Sequence, residues 1–328
     1  MLHILYGRLA LSRRAWYERP GTRRRLARPV VSVGNLSVGG TGKTPCVAAL
    51  AAWLVAQGER PAILSRGYAR QVRRRGVTVV SDGSRLLCDV RHAGDEPMML
   101  AQAVPGAVVV VCGDRYEAGL AAERTLGATV HVLDDGFQHV QLARDLDIVV
   151  TPAGELAREL VLPKGRLREP LSALTRASLL VVVGATDAQA QAEARAVGVP
   201  RAVGATRRLG VPVTVHDGVP DPGATVVAMA GIGQPAQFEE GLRTAGWQVA
   251  DVCVFGDHHW YSDQDLVDVA RRVRAAQAWG VLTTDKDAVR LDRARPQPCR
   301  MARVPLTLDI PQWQIVTDAV RQVMGGRT

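Results

Sequence analysis

Short apolar runs bounded by turn residues alternate with longer helical patterns through most of the chain. Pro29–Val33, Arg60–Ser65, Ala107–Cys112, Ala128–Leu133, Leu146–Val150 and Leu179–Val183 have the length and β-branching of buried strands. Helical patterns fill the intervals at 43–56, 98–103 and 115–125. Strands with apolar residues on both faces, separated by helices, predict a mainly parallel sheet covered on both sides. Between about 185 and 222 the texture breaks into alanines and then short Gly, Pro and Val pieces. A second, smaller βα pattern follows, with strands at 224–230, 249–255 and 281–284 and helices from 235 and 262. The piece 76–80 lies among Arg70, Arg73, Arg74, Arg75 and Arg85 and reads as a hairpin or insertion.

The first strand leads into the chemistry. Gly34-Asn-Leu-Ser-Val-Gly-Gly-Thr-Gly-Lys-Thr44 follows it and runs into the helix beginning at Lys43. Strand, glycine loop and helix make a phosphate-binding loop, because glycines let successive backbone N–H groups turn onto an anion at a helix N-terminus. Lys43 would reach the β- and γ-phosphates, and the Thr44 hydroxyl would hold Mg²⁺. Ser37 stands where the pattern G-x-x-x-x-G-K-[ST] has its first Gly. Downstream, the strand ending at Leu133 runs into Asp134-Asp135-Gly136, which fits a Mg²⁺-binding acidic element and also fits a simple turn. The fold class expected is α/β: a P-loop NTPase-type three-layer αβα core domain over 29–205 and a smaller α/β domain over 206–328.

Charge changes the picture at the N-terminus. Net charge is +9 and the isoelectric point is about 9.9, which favours anionic partners. Residues 1–28 hold eight arginines against the single acid Glu18, with Leu2, Leu5, Leu9 and Trp16 near helical spacing. Such a segment reads as a basic amphipathic element at an anionic membrane surface. It equally reads as a solvated helix packing its leucines on the core. Aromatic residues make up only 4%, and no basic-and-aromatic ribbon argues for nucleic acid. Five scattered cysteines without a C-x-x-C pair indicate reduced thiols in a cytoplasmic compartment. No apolar run approaches the roughly 20 residues of a membrane span.

Eight motifs then come together: GNLSVGGTGKTP (34–45), LSRGY (64–68), GDEP (94–97), CGDR (112–115), LDDGFQH (133–139), LPKGRLREP (162–170), FGDHHWYS (255–262) and LTTDKDAVRL (282–291). As a set, spread over nearly the whole chain, they resemble the tetraacyldisaccharide 4'-kinases of Gram-negative lipid A synthesis. The Ser at 37 fits, since that family carries Ser or Thr there. The resemblance implies transfer of the γ-phosphate of ATP to the 4'-hydroxyl of a tetraacylated glucosamine disaccharide 1-phosphate. It implies a peripheral enzyme on the cytoplasmic face of the bacterial inner membrane, with no nucleic-acid partner and no obligate protein partner. It places ATP on Ser37, Val38, Gly39, Gly40, Thr41, Gly42, Lys43 and Thr44. Asp95 resembles the family's catalytic base, His258 its orienting partner, and Asp134 and Asp135 the metal-associated pair. Tyr68 and Arg168 match further positions near the site. Asp95 and His258 are expected to meet across the cleft between the two domains.

Other classes have less support. A GTPase or metallochaperone would need [NT]-K-x-D, and Thr284-Asp285-Lys286-Asp287 lacks the spacing. A nucleotide-dependent nucleic-acid-binding protein rests on net charge alone. Asp257-His258-His259 as a metal phosphoesterase motif stands without further ligand clusters. His131 and His139 read as structural.

Overall fold

The computed structural model describes residues 2–68, 70–72, 75–158, 160–291 and 297–326. After α1 (Leu2–Tyr17) the chain forms β1 (Val30–Gly34), α2 (Lys43–Ala56), β2 (Pro61–Ser65), β3 (Thr78–Asp82), α3 (Val90–Ala93), α4 (Asp95–Ala103) and β4 (Val108–Val111). Next come α5 (Arg115–Leu126), β5 (Val130–Asp134), β6 (Leu146–Pro152), α6 (Glu155–Arg158), β7 (Leu179–Val183), α7 (Asp187–Val197) and β8 (Ala202–Leu209). A second unit holds β9 (Val213–His216), β10 (Thr225–Ala230), α8 (Pro235–Thr244), β11 (Gln248–Val254), α9 (Asp263–Ala275), β12 (Val281–Thr284), α10 (Asp285–Ala288) and β13 (Met301–Val304). The chain then returns through β14 (Leu306–Asp309) and α11 (Trp313–Gly325).

Two sheets result, ordered β14-β8-β7-β6-β1-β5-β2-β4-β3 and β11-β10-β12-β13-β9. Within the larger sheet the inner strands from β8 to β4 pair in parallel. Alternate residues along each strand enter opposite cores. Val31, Val33, Ile63 and Val132 join the α2, α4 and α11 side, whereas Val30, Ala62, Leu64 and Leu133 join the α5 side. Burial of both faces is why these strands read as unbroken apolar runs. The smaller sheet repeats the arrangement, with Val226 and Ala228 on the α8 side and Val227 and Met229 on the α9 side.

Several expectations from pattern alone change here. The piece read as a hairpin or insertion is β3, an antiparallel edge strand on β4, and its Val80 is fully buried. Arg73 and Arg74 lie outside the described residues. The division drawn at 205/206 falls inside β8, and β14 pairs with β8 at the far edge of the larger sheet. Helix α11 lays Val316, Ala319 and Val320 into the same core as Val31 and Val150. An amphipathic helix is needed there because it covers the apolar face that β6 to β8 would otherwise expose. The texture change near 185–222 therefore marks the exit toward the second sheet.

Helix α1 divides its residues between two environments. Ile4, Leu5, Leu9 and Trp16 are about half exposed or more. Arg14, by contrast, is buried: its Nε donates to Glu169 at 2.9 Å, its Nη2 donates to the Phe137 carbonyl at 3.0 Å, and its guanidinium lies over the Phe137 ring. Arg24 pairs with Asp114 and Arg25 with Asp145, so part of the N-terminal charge is neutralised internally. Among the described residues no helix is long and apolar enough to cross a membrane.

Candidate active site

The carboxyl ends of β1, β5 and β2 lie side by side, and ligands of open α/β sheets bind at such ends. From the end of β1 the loop 34–44 runs to α2. A Cβ built on Gly34 would lie 2.6 Å from the backbone N of Phe137, so only glycine lets the loop pass the 134–139 turn. Gly39 and Gly42 hold φ near +111° and +100°, the left-handed region that glycine enters freely. The first half of the loop is zipped onto 166–168: Val38 N–H donates to the Arg166 carbonyl at 2.9 Å, and Arg168 N–H donates to the Leu36 carbonyl at 2.7 Å. Ser37 uses its hydroxyl to bond Glu155 at 2.8 Å, a contact that glycine would lack. Lys43 opens α2 with Thr44 beside it, and Lys43 Nζ stands 3.7 Å from Asp135 Oδ1.

The two acids behave differently. Asp134 is buried at the end of β5 and accepts a hydrogen bond from Ser65 Oγ at 3.2 Å. Burial first, then the charges of Glu96 and Asp135, push its carboxyl up to about 7. Asp135 sits in the left-handed region at φ 53°. Burial opposes its ionisation too, but Lys43 and Arg168 outweigh it and hold the carboxyl below its ordinary value. Arg168 Nη1 donates to Asp135 at 2.7 Å. Asp134 Oδ1 and Asp135 Oδ1 are both buried and, among the described residues, have no hydrogen-bond donor. Each therefore keeps a lone pair free for a hard cation.

Beside this pair stands a second cluster. Asp95 begins α4, buried, and lies 2.7 Å from His258 Nδ1 and 3.1 Å from Arg290 Nε. The two residues expected to meet do so, although 163 positions separate them. His258 belongs to the turn after β11 and holds φ 62°. Its other nitrogen, Nε2, is 3.2 Å from Lys286 Nζ. An ammonium only donates, so Nε2 accepts and the ring proton sits on Nδ1, pointing at Asp95. Lys286 is itself held by Asp257 at 2.9 Å. Tyr68 lies at the end of β2, exposed, with its ring 5.4 Å from that of His258.

Lys286, Arg290 and Glu155 also take part in these contacts. The i, i+3 spacing of Asp287 and Arg290 inside LTTDKDAVRL was the available signal. That motif is consumed internally: Asp285 pairs with Arg303, Lys286 faces His258, and Asp287 accepts the Gly231 N–H at 3.1 Å. It therefore reads no guanine. The D-H-H triplet also divides, with His259 bonded to Asp265 at 3.0 Å. Among the described residues no group of three His, Cys or acidic side chains is placed to hold a metal. His131 bonds Glu123, and His139 is held neutral, with burial and then Arg115 pushing it down to about 3.

The model of the tetraacyldisaccharide-1-P 4'-kinase family (LpxK) matches residues 1–325. The chain belongs to this family. It is 44% identical over 280 residues to the tetraacyldisaccharide 4'-kinase of Geobacter metallireducens, spanning 82% of this chain and 80% of that relative. It is 38% identical over 310 residues to that of Pelobacter propionicus, spanning 92% and 84%. The fold is similar to the crystal structure of the "apo" form of LpxK from Aquifex aeolicus in complex with ATP. The TM-score is 0.78 with 29% identity, over 99% of this chain and all of that one. Membership makes the protein an ATP-dependent 4'-kinase of lipid A biosynthesis with an α/β fold. The site sets side by side a glycine loop at a helix N-terminus, an acid pair with free lone pairs, and a carboxylate beside an oriented imidazole.

Proposed function

We propose that residues 37–44 hold the triphosphate of ATP and that Asp95 accepts the proton of the disaccharide 4'-hydroxyl. The observation that carries this reading is the Asp95–His258 pair at 2.7 Å, set on the same sheet edge as the loop and fixed in tautomer by Lys286. A sugar hydroxyl is a weak nucleophile, so a carboxylate that takes up its proton as the bond to phosphorus forms lowers the barrier. His258 donates to one oxygen of Asp95 and leaves the other to face substrate. Lys43 neutralises charge on the β- and γ-phosphates, and the loop N–H groups align the chain of phosphates.

Mg²⁺ fits the buried lone pairs of Asp134 and Asp135 together with the Thr44 hydroxyl; when bound it would neutralise charge on the β- and γ-oxygens. Arg168 keeps Asp135 ionised for that purpose, and Tyr68 lines the approach to Asp95. The second unit, which carries His258 and Lys286, closes on the first as a smaller domain and completes the site. The half-exposed apolar residues of α1, with its arginines, dock on the anionic cytoplasmic face of the inner membrane, where the acylated substrate resides. Neither nucleic acid nor an obligate protein partner enters this reading.

The test is transfer of ³²P from γ-labelled ATP to tetraacyldisaccharide 1-phosphate in mixed micelles. The wild type transfers label and Asp95→Ala loses about 10²-fold or more of the rate. A nearly intact Asp95→Ala removes Asp95 as the base and leaves the kinase.

A further inference from the structure

Glycine-rich loops have little intrinsic preference for the direction their peptide planes face, because glycine enters both halves of φ space. In loop 37–44 two arginines supply that direction. Arg166 Nη2 donates to the Val38 carbonyl at 2.7 Å, and Arg207 Nη2 donates to the Gly40 carbonyl at 2.8 Å. A trans peptide carries its C=O and N–H on opposite sides. Pulling carbonyls 38 and 40 outward therefore turns the N–H groups of Gly39 and Thr41 the other way, into the anion cradle.

The two arginines hold the loop from different elements. Arg166 belongs to segment 162–170, already zipped to the first half of the loop, and Glu155 stands 3.9 Å away. Arg207 projects from β8, the strand through which the chain leaves for the second unit. Its Nη1 donates at 2.7 Å to Gln237 Oε1 on α8 of that unit. Among the described residues no carboxylate pairs with Arg207, and its partners here are a carbonyl and an amide, both neutral. Arg207 is half-buried, its Nε is shielded from solvent without an acceptor, and a partly desolvated guanidinium held by neutral acceptors is costly, which argues for a task beyond packing. Its charge also polarises the Gly40–Thr41 peptide, making Thr41 N–H a stronger donor.

We infer that Arg207 is a positioning residue of the kinase reaction: it sets the Gly40–Thr41 peptide for phosphate and ties that setting to the second unit through Gln237. The inference rests on the reading of 37–44 as the triphosphate loop, and the experiment separates the two. Affinity for MgATP and for inorganic pyrophosphate with Mg²⁺ is measured by calorimetry on the full chain in detergent. Turnover is measured beside it, for wild type, Arg207→Met, Arg207→Lys and Lys43→Ala.

Arg207→Met is expected to weaken both ligands about 10-fold and to lower kcat/KM for ATP about 10²-fold, with its KM for the disaccharide unchanged. Arg207→Lys, which still donates to the Gly40 carbonyl, recovers most of the pyrophosphate affinity. Amide exchange at 39–41 in the nucleotide-free protein speeds up in Arg207→Met while the unfolding temperature holds. If Arg207→Met does not fold, Arg207→Lys and Gln237→Leu carry the test, and unchanged ATP affinity in both overturns the inference. Pyrophosphate affinity unchanged in Arg207→Met, with Lys43→Ala weakened, overturns it and keeps the loop. Unchanged affinity in Lys43→Ala overturns the loop reading itself.

Discussion

The chain makes the same turn twice, once in each sheet, and finishes it differently. After β1, Gly34 opens a long loop whose N–H groups around Gly39 to Thr44 lead into α2. After β10, Gly231-Ile-Gly233 leads into α8. In the second turn the Gly231 N–H already has its anion: it donates to both oxygens of Asp287 at 3.1 Å. Asp287 is fully buried, and it also accepts from Tyr261 at 2.8 Å and Thr284 at 2.6 Å and faces Arg290. In the first turn the neighbouring carboxylates meet side chains instead: Glu155 takes the Ser37 hydroxyl, and Asp135 is drawn toward Arg168 and meets the tip of Lys43. A strand–glycine–helix turn is thus a scaffold element when the fold fills it with its own carboxylate. On the function proposed above, it is a binding site when the fold leaves the donors for a ligand.

The largest effect should come from the open turn. Lys43→Ala is expected to cost about 10³-fold in turnover, since on the proposed reading its charge acts on the transferring phosphate. The unfolding temperature should shift little, because the Lys43 ammonium meets Asp135 only at 3.7 Å. A large loss of stability with normal residual turnover would reverse the contrast. The closed turn should answer in stability instead. Asp287→Ala leaves Arg290 without one of its two carboxylates and the Gly231 N–H without an acceptor, and should cost about 3 kcal/mol or more in chemical denaturation. The vacated turn should then be stabilised by added sulfate more than the wild type is. Equal responses would show that the turn holds no anion-binding character.

A smaller effect is pH-dependent. Asp134 has its carboxyl raised to about 7, so between about pH 4 and 7 the folded protein holds a proton that the unfolded chain has released. Its contribution is fully present below the unfolded value and is lost as pH rises through 7, by at most about 1.4 kcal/mol per pH unit. Asp134→Asn should therefore gain stability over the nucleotide-free wild type at pH 8 relative to pH 5, followed by thermal unfolding. Loss of Mg²⁺ stabilisation in the same variant would mark the residue as a ligand. Smallest of all, Ser37→Gly gives the open turn its usual first glycine and removes the bond to Glu155. About 1 kcal/mol of stability should go, with turnover kept within a few fold.

What could be read beforehand follows from how local each feature is. The loop 34–44 is contiguous, and its strand, glycines, Lys43 and Thr44 carry their chemistry in neighbouring positions. Asp95 reads alone as an ordinary acid in a first helical turn. Only the set of motifs singles it out, because its partner His258 arrives from another sheet. Arg14 is one of a run of arginines, and no spacing distinguishes the buried one from its solvated neighbours. Arg166 and Arg207 act on backbone carbonyls, a contact that imposes no complementary residue and so leaves no trace in the chain. Helix α11 did carry a signal, in Trp313, Val316, Val320 and Val323. Its place on the first sheet could not be read from order along the chain, because strand pairing brings it back past the whole second unit.

That return governs how the molecule is made. A ribosome delivers β1 to β8 first, then the whole second unit, and only afterwards β14 and α11. Until β14 and α11 emerge, β8 is an open edge and the core around Val150, Val181 and Val203 lacks Val316 and Val320. The nascent larger sheet must wait, partly uncovered, for β14 and α11, while the later-born second unit has all its strands first.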